Sequence, residues 1–131
     1  MERDIVNPWE WQKNLSFVQG NHLKGVTEWL VCAGQTSAAE DGAAQFPGDM
    51  EGQIRQCFRN VETVLAAKGF TLADVVRMTY YTTDIDKFFE GMAPVRAELR
   101  ERGYRPTATL LGVTRLADPE MLVEIEATAA R

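Results

Sequence analysis

Two glutamates in a strongly apolar run are the first residues whose types and spacing suggest chemistry. In Met121-Leu122-Val123-Glu124-Ile125-Glu126-Ala127, strand alternation puts Met121, Val123, Ile125 and Ala127 on one face and both carboxylates on the other. Such a face is solvated, ion-paired or functional. A carboxylate held in a cleft orients or deprotonates a water, which is the work of a general base. Gly34-Gln35, directly after an apolar run, offers either exposed backbone donors or simply a turn. Other chemistries lack partners. His22 is the only histidine and sits beside the turn-like Leu23-Lys24-Gly25, so it reads as a surface residue and leaves Ser-His-Asp or Cys-His mechanisms without a base. Cys32 and Cys57 lie in unrelated segments, without a CxxC pair or zinc spacing. They read as reduced, partly buried thiols.

The elements that must position these residues follow from periodicity. Residues 15–20 alternate well enough for a short strand, and Gly20-Asn21 with Gly25 supply turn chemistry for a hairpin into the next run. Residues 29–33 are apolar on both alternating faces, as in a strand covered on both sides. Ile54, Phe58, Val61 and Leu65 then recur at helical spacing, with Asp49 as N-cap and Gly69 as stop. Residues 74–83 are rich in Val, Tyr and Thr and read as a strand. Asp84 or Asp86 caps a second helix carrying Phe88, Phe89, Met92, Val95 and Leu99 and ending at Gly103. Pro94 inside it predicts a kink or a late start. Residues 107–114 and 121–129 read as strands joined in a hairpin by the turn-rich residues 115–120.

The chain has 131 residues, 45% hydrophobic and 25% charged, enough for a single compact domain over residues 1–131 and too few for two ordinary ones. No apolar stretch approaches the ~18 residues of a membrane span. The N-terminal residues 1–8 carry acidic side chains and no apolar core, which excludes a secretory signal and predicts a soluble, cytoplasmic protein. Fourteen Lys plus Arg against nineteen Asp plus Glu give a net charge of −5, which opposes a nucleic-acid partner. The densest basic run, Arg96 to Arg105, is interleaved with Glu98 and Glu101 as on a solvated helix face. Trp9 and Trp11 read as packing residues over one end of the fold rather than as a base-stacking platform.

The element order is two or three strands and then αβαββ, an α+β class. Two helices cover one face of a five- to six-stranded mixed sheet, yet residues 29–33 call for two dry faces. The second face is therefore expected to be buried by another copy of the chain, in closed cyclic symmetry.

Taken in order, Phe17-Val18-Gln19-Gly20, Ala33-Gly34-Gln35, Gln53, Asn60, Thr82-Thr83-Asp84-Ile85-Asp86-Lys87-Phe88, Arg105-Pro106 and Val123-Glu124-Ile125-Glu126-Ala127 resemble the RidA/YjgF family of small imine- and enamine-hydrolysing proteins. The resemblance runs from Phe17 to Ala129. It implies a chorismate-mutase-like fold forming a homotrimer around a central barrel, with small metabolites bound in clefts between subunits and with no metal or organic cofactor. It also implies that Glu124 positions the water that attacks an imine carbon. In the deaminating members an arginine two residues after the proline pairs with the substrate carboxylate, a tyrosine in the first strand and an asparagine in the second helix help hold the ligand.

This chain departs from that pattern. Ala108 stands at the arginine position, Phe17 at the tyrosine and Met92 near the asparagine. Losing a charge-assisted pair typically costs ~1.5–3 kcal/mol of binding. Arg105, three residues from Ala108, is expected on the opposite strand face. The expected cleft is thus lined by Phe17, Met92 and Ala108, with Gly34, Gln35, the Thr107 or Thr109 hydroxyl and Glu124 as its polar points. Met92 also falls at core spacing on its helix and fits either role. The first functional expectation is hydrolysis of a neutral or apolar imine or enamine, with deamination of small 2-imino acids impaired. The alternative is a non-catalytic trimeric metabolite-binding or regulatory protein. A ribonuclease or translation inhibitor ranks last on charge.

Overall fold

The helices begin where the carboxylate caps place them. In the computed structural model, which describes residues 1–131, Asp49 Oδ1 accepts from Gly52 N at 2.9 Å to start α1 (Met50–Ala66). Asp84 Oδ1 accepts from Lys87 N at 3.0 Å to start α2 (Ile85–Glu101). Each cap satisfies an amide that the helix itself leaves without a partner. Gly69 and Gly103 take positive φ (72° and 75°) just past the two helices, the conformation that ends a helix at little steric cost. Pro94 neither delays α2 nor shortens it. It occupies an exposed position, so its missing donor is lost on the solvent side while Phe88, Met92, Val95 and Leu99 keep the inward stripe intact.

Six strands form. β1 (Glu2–Val6) and β2 (Gly20–Lys24) make an antiparallel ribbon, and β3 (Trp29–Val31), β4 (Val75–Thr82), β5 (Thr107–Gly112) and β6 (Val123–Ala130) make a mixed sheet in the order β3-β6-β4-β5. Three sequence expectations change here. The early strand falls at Gly20–Lys24 rather than at residues 15–20, because Ser16 takes a positive φ of 59° and breaks the extended run. Its partner is the N-terminal Glu2–Val6. Finally, β5 and β6 do not pair with each other: β5 runs parallel to β4, with α2 as the crossover that a parallel pair requires, and β6 pairs antiparallel with the other edge of β4. The apolar β4 thus takes a neighbour on each side. The ribbon is held to the sheet by side chains: Arg3 Nη1 donates to Ala73 O at 2.8 Å, and Asn21 Nδ2 donates to Val76 O at 2.9 Å.

Both helices cover one face of the sheet, and the core lies between them. Met78, Tyr80, Val123, Ile125 and Ala127 meet Ile54, Cys57, Phe58, Val61, Phe88 and Met92 there. The other face is open in a single chain, where Trp29 is 57% and Val31 75% exposed. Trp9 and Trp11 are also exposed rather than packed. Trp11 stands edge-on to Phe17 with ring centroids 6.0 Å apart. His22 lies on the surface as expected, though within β2.

Both cysteines are free and buried. Burial, helped by the negative charge of Glu124, pushes the Cys57 thiol from 9.0 up to about 12. Because the folded value lies above that of the unfolded chain, this contribution to stability is whole below about pH 9 and is lost as pH rises toward 12. Burial also raises the Tyr80 and Tyr104 phenols, so they add in the same sense. Cys57 is expected to resist alkylation in the native protein at pH 8 and to react on unfolding, while the urea midpoint falls steeply above pH 9. Rapid native labelling of Cys57 would contradict this.

Candidate functional site

Glu124 and Gly34 are brought together by backbone pairing. Gln35 N donates to Ile125 O at 2.7 Å and Ile125 N donates to Gln35 O at 2.9 Å, which lays the segment after β3 against β6. A Cβ on residue 34 would overlap the Glu124 carboxylate at Oε1, so only glycine allows this approach. β6 alternates as its sequence dictates, with Val123, Ile125 and Ala127 buried and Glu124 and Glu126 on the outer face. The two carboxylates then differ. Glu126 Oε1 accepts from the Tyr81 hydroxyl at 2.7 Å, and that bond holds the Tyr81 phenol above its ordinary value. Glu124 enters no ion pair. Its carboxylate stands over the Gly34 backbone with its proton-accepting capacity unused within the chain. The Gln35 side chain turns back on its own segment, donating to Ala33 O at 3.2 Å.

Phe17, Met92 and Ala108 meet elsewhere, in a cavity of about 250 Å³ walled also by Tyr80, Phe88 and Arg96. Met92 fills both roles the sequence left open, being 3% exposed in the core and lining this cavity. Ala108 lies on the helix-facing side of β5. Thr107 and Thr109 alternate to the other side: the Thr107 hydroxyl donates to Val76 O at 3.1 Å, and the Thr109 hydroxyl accepts from Arg77 Nη2 at 3.4 Å. Arg105 precedes β5, is exposed, and does not line the cavity. Within one chain, therefore, Phe17, Met92 and Ala108 lie together on the helix-facing side of the sheet, and Gly34, Gln35 and Glu124 lie together on its outer side.

Arg96 is the cavity residue that sequence reasoning missed. The solvated face expected for its run exists further along the helix, where Glu98 pairs with Arg55 and Arg102 with Glu62. Arg96 itself is half-buried beside Met92, one helical turn away. That four-residue spacing was the available signal. Several motif residues prove to be architectural. Asn60 Nδ2 donates to Thr36 O at 2.9 Å and to Ala38 O at 2.8 Å, holding the loop after Gly34. Thr82 Oγ1 donates to Leu122 O at 2.8 Å and ties the start of β6 to the end of β4. No group of three or more His, Cys, Asp or Glu side chains converges as a metal cluster, and no helix is long and apolar enough to cross a membrane.

Two helices on one face of a mixed sheet, with a free glutamate over a glycine on the other, define an α+β protein of the kind the motifs resemble. The chain belongs to the RidA/YjgF family. The family model described as endoribonuclease L-PSP matches residues 14–131. The chain is 33% identical over 96 residues to the RutC family protein YjgH of Escherichia coli, covering 73% of this chain and 72% of that one. It is 28% identical over 116 residues to the 2-iminobutanoate/2-iminopropanoate deaminase of Escherichia coli, covering 88% and 87%. A crystal structure of the Rid-family protein YyfB from Yersinia pestis, of unknown function, superposes over the full length of both chains with a TM-score of 0.87 at 29% identity.

Proposed function

We propose that the chain is a hydrolase of imines or enamines whose carbon skeleton is bulkier than that of 2-iminopropanoate, working in clefts between copies of itself. The observation that carries this reading is the free Glu124 carboxylate over the Gly34 backbone. In the proposed reaction Glu124 accepts a proton from water as the water oxygen bonds to the imine carbon. The proton passes to nitrogen to give a carbinolamine, and as its C–N bond breaks the hydroxyl proton is transferred to the departing nitrogen, so that ammonia is released and a carbonyl remains. A deaminase name among the relatives supports the reaction class. That Glu124 enters no ion pair within the chain favours this reading over the alternative, a trimeric binding or regulatory protein without catalysis. The net charge of −5 stands against RNA as substrate.

The cavity supports the substrate range. Ala108 offers no cation where the deaminating members carry arginine, and Phe17, Met92 and Phe88 present apolar walls. Short 2-imino acids then gain little from apolar burial, whereas a larger body gains ~25 cal/mol per Å² of area it buries. The test is hydrolysis of freshly generated 2-iminopropanoate and 2-imino-3-phenylpropanoate against the uncatalysed background. Acceleration confined largely to the bulky imine is expected. Equal acceleration of both would overturn the substrate range, and acceleration of neither would overturn the hydrolase.

Placing the two half-sites in one cleft requires the outer sheet face of one copy to meet its neighbour, and a homotrimer satisfies this. The exposed Trp29 and Val31 are the apolar surface such contact would bury. Val31→Glu is expected to convert a trimer to monomers in light scattering after size exclusion, with the native circular dichroism retained. A wild type that is monomeric at micromolar concentration would overturn the shared cleft.

A further inference from the structure

Arg96 Nε is the only buried side-chain nitrogen or oxygen without a hydrogen-bond partner in the protein. It is also the only charged residue in the wall of the Phe17–Met92–Ala108 cavity, which is otherwise lined almost wholly by apolar side chains. The guanidinium enters no ion pair. Its central carbon lies 5.8 Å from the centroid of the Phe89 ring, a cation–π arrangement that orients the group without satisfying its donors. Burial holds its pKa below the ordinary arginine value, with Tyr80 opposing and Arg100 reinforcing that shift. The group remains charged all the same, and a guanidinium presents its donors in a planar fork that matches a carboxylate. Buried polar groups are satisfied as a rule, so an unpaired one on the side chain that brings the only charge to this cavity calls for an explanation.

We propose that Arg96 is the anion anchor of this cavity, and that its ligand is a small carboxylate bearing an apolar body about the size of a benzene ring or a branched aliphatic group. The inference rests on the reading of this cavity as the substrate site and names the substrate class more narrowly, as a bulky 2-imino acid. Ala108 then marks a cation moved from the strand to the helix rather than one lost. The carboxylate is held from the α2 side, and the space over β5 is released for bulk. The size agrees: about 250 Å³ exceeds the ~150 Å³ that accepts a benzene and leaves room for a carboxylate. The segment carrying Phe17 is fixed to the same turn of helix: Ser16, at its positive φ of 59°, donates from Oγ to Arg96 O at 3.3 Å, and backbone strain of this kind persists where surrounding structure imposes it.

The experiment measures binding of 3-phenylpropanoate and of its neutral amide, 3-phenylpropanamide, by titration calorimetry. Wild type, Arg96→Met and Arg96→Lys are compared. Wild type is expected to prefer the acid by at least ~10-fold, the range of a charge-assisted contact. In Arg96→Met the preference is expected to fall to about one, with amide binding retained. Arg96→Lys keeps the charge without the fork and is expected to keep part of the preference. Equal affinity of wild type for acid and amide would overturn the proposal, as would a preference that survives in Arg96→Met or an absence of binding to either probe. Because neither probe is hydrolysed, this result is separable from catalysis. An Arg96-dependent preference without imine hydrolysis leaves the anchor standing and removes the hydrolase, and hydrolysis without the preference does the reverse.

Discussion

Glu124→Gln is expected to lower kcat for hydrolysis of 2-imino-3-phenylpropanoate by ~10²–10⁴, the usual contribution of a positioned general base, while KM changes little. The amide keeps the shape of the carboxylate and loses its ability to take a proton from water. Glu124 enters no ion pair, so removing its charge breaks no salt bridge in the chain, and the melting temperature is expected to stay within a few degrees. Gly34→Ala approaches the same group from the other side. A Cβ there overlaps the carboxylate, and the flexible glutamate side chain is the part that can yield. Displacing a reacting group by an ångström costs up to ~10²-fold, so Gly34→Ala is expected to lose activity with its fold intact. Steady-state kinetics alongside thermal melts check both variants. Wild-type turnover in Glu124→Gln would show that another group activates the water, and wild-type turnover in Gly34→Ala would show that the carboxylate acts from a position other than the one over Gly34.

The parts of the fold legible in the sequence are those fixed by near neighbours. Asp49 and Asp84 cap helices because a carboxylate lies within reach of an amide three residues on, and β6 alternates because a strand's own geometry imposes the period. The β1–β2 ribbon was not legible. Asn21-His22-Leu23-Lys24 is polar and turn-like by composition, and it becomes a strand only through Glu2–Val6 and the anchoring of Arg3 and Asn21 to distant carbonyls. The same holds for β5 and β6, where the apolar edges of β4 outcompete the short connection between them. Choices of that kind depend on tertiary packing, which strand propensity does not contain.

The site divides along the same line. Phe17, Met92 and Ala108 were named from motif positions in three separate segments, and the fold brings all three to one cavity. Arg96 was hidden because charge interleaving describes the face shared by Glu98 and Arg102, both paired to α1. A residue two positions from Glu98 points about 200° around the helix at ~100° per residue. Thr109 was placed with Ala108 as a neighbour in sequence, and strand alternation puts it on the opposite face. The composition of residues 29–33 predicts a strand dry on both sides. Within one chain only Leu30 and Cys32 turn toward the core, while Trp29 and Val31 remain open.

Gln53→Ala is expected to be the most destabilising polar substitution, lowering stability by about 3 kcal/mol or more. Gln53 is wholly buried on α1. Its Nε2 donates to Phe46 O at 3.1 Å and to Glu120 O at 2.9 Å, and its Oε1 accepts from Leu122 N at 2.8 Å. Truncation strands the Glu120 carbonyl and the Leu122 amide, whereas Phe46 O keeps the Asp49 amide at 3.1 Å, and a group left unsatisfied away from water costs ~1–3 kcal/mol. It also opens a void where the side chain was. One of the three partners, Phe46, holds a positive φ of 56°, a conformation that needs such support. Leu122 directly precedes β6, so the same side chain sets the entry of the strand that carries Glu124. Stability and activity should therefore fall together, unlike the pattern expected for Glu124→Gln. Urea denaturation is the measurement, with a lower midpoint at an unchanged slope as the expected result. Asn60→Ala, which frees Thr36 O and Ala38 O at a half-buried position, should cost less because water can reach the released groups. A loss below ~1 kcal/mol in Gln53→Ala would mean that the loops ending at Phe46 and Glu120 find other partners, and that the placement of β6 rests on its pairing with β4 alone.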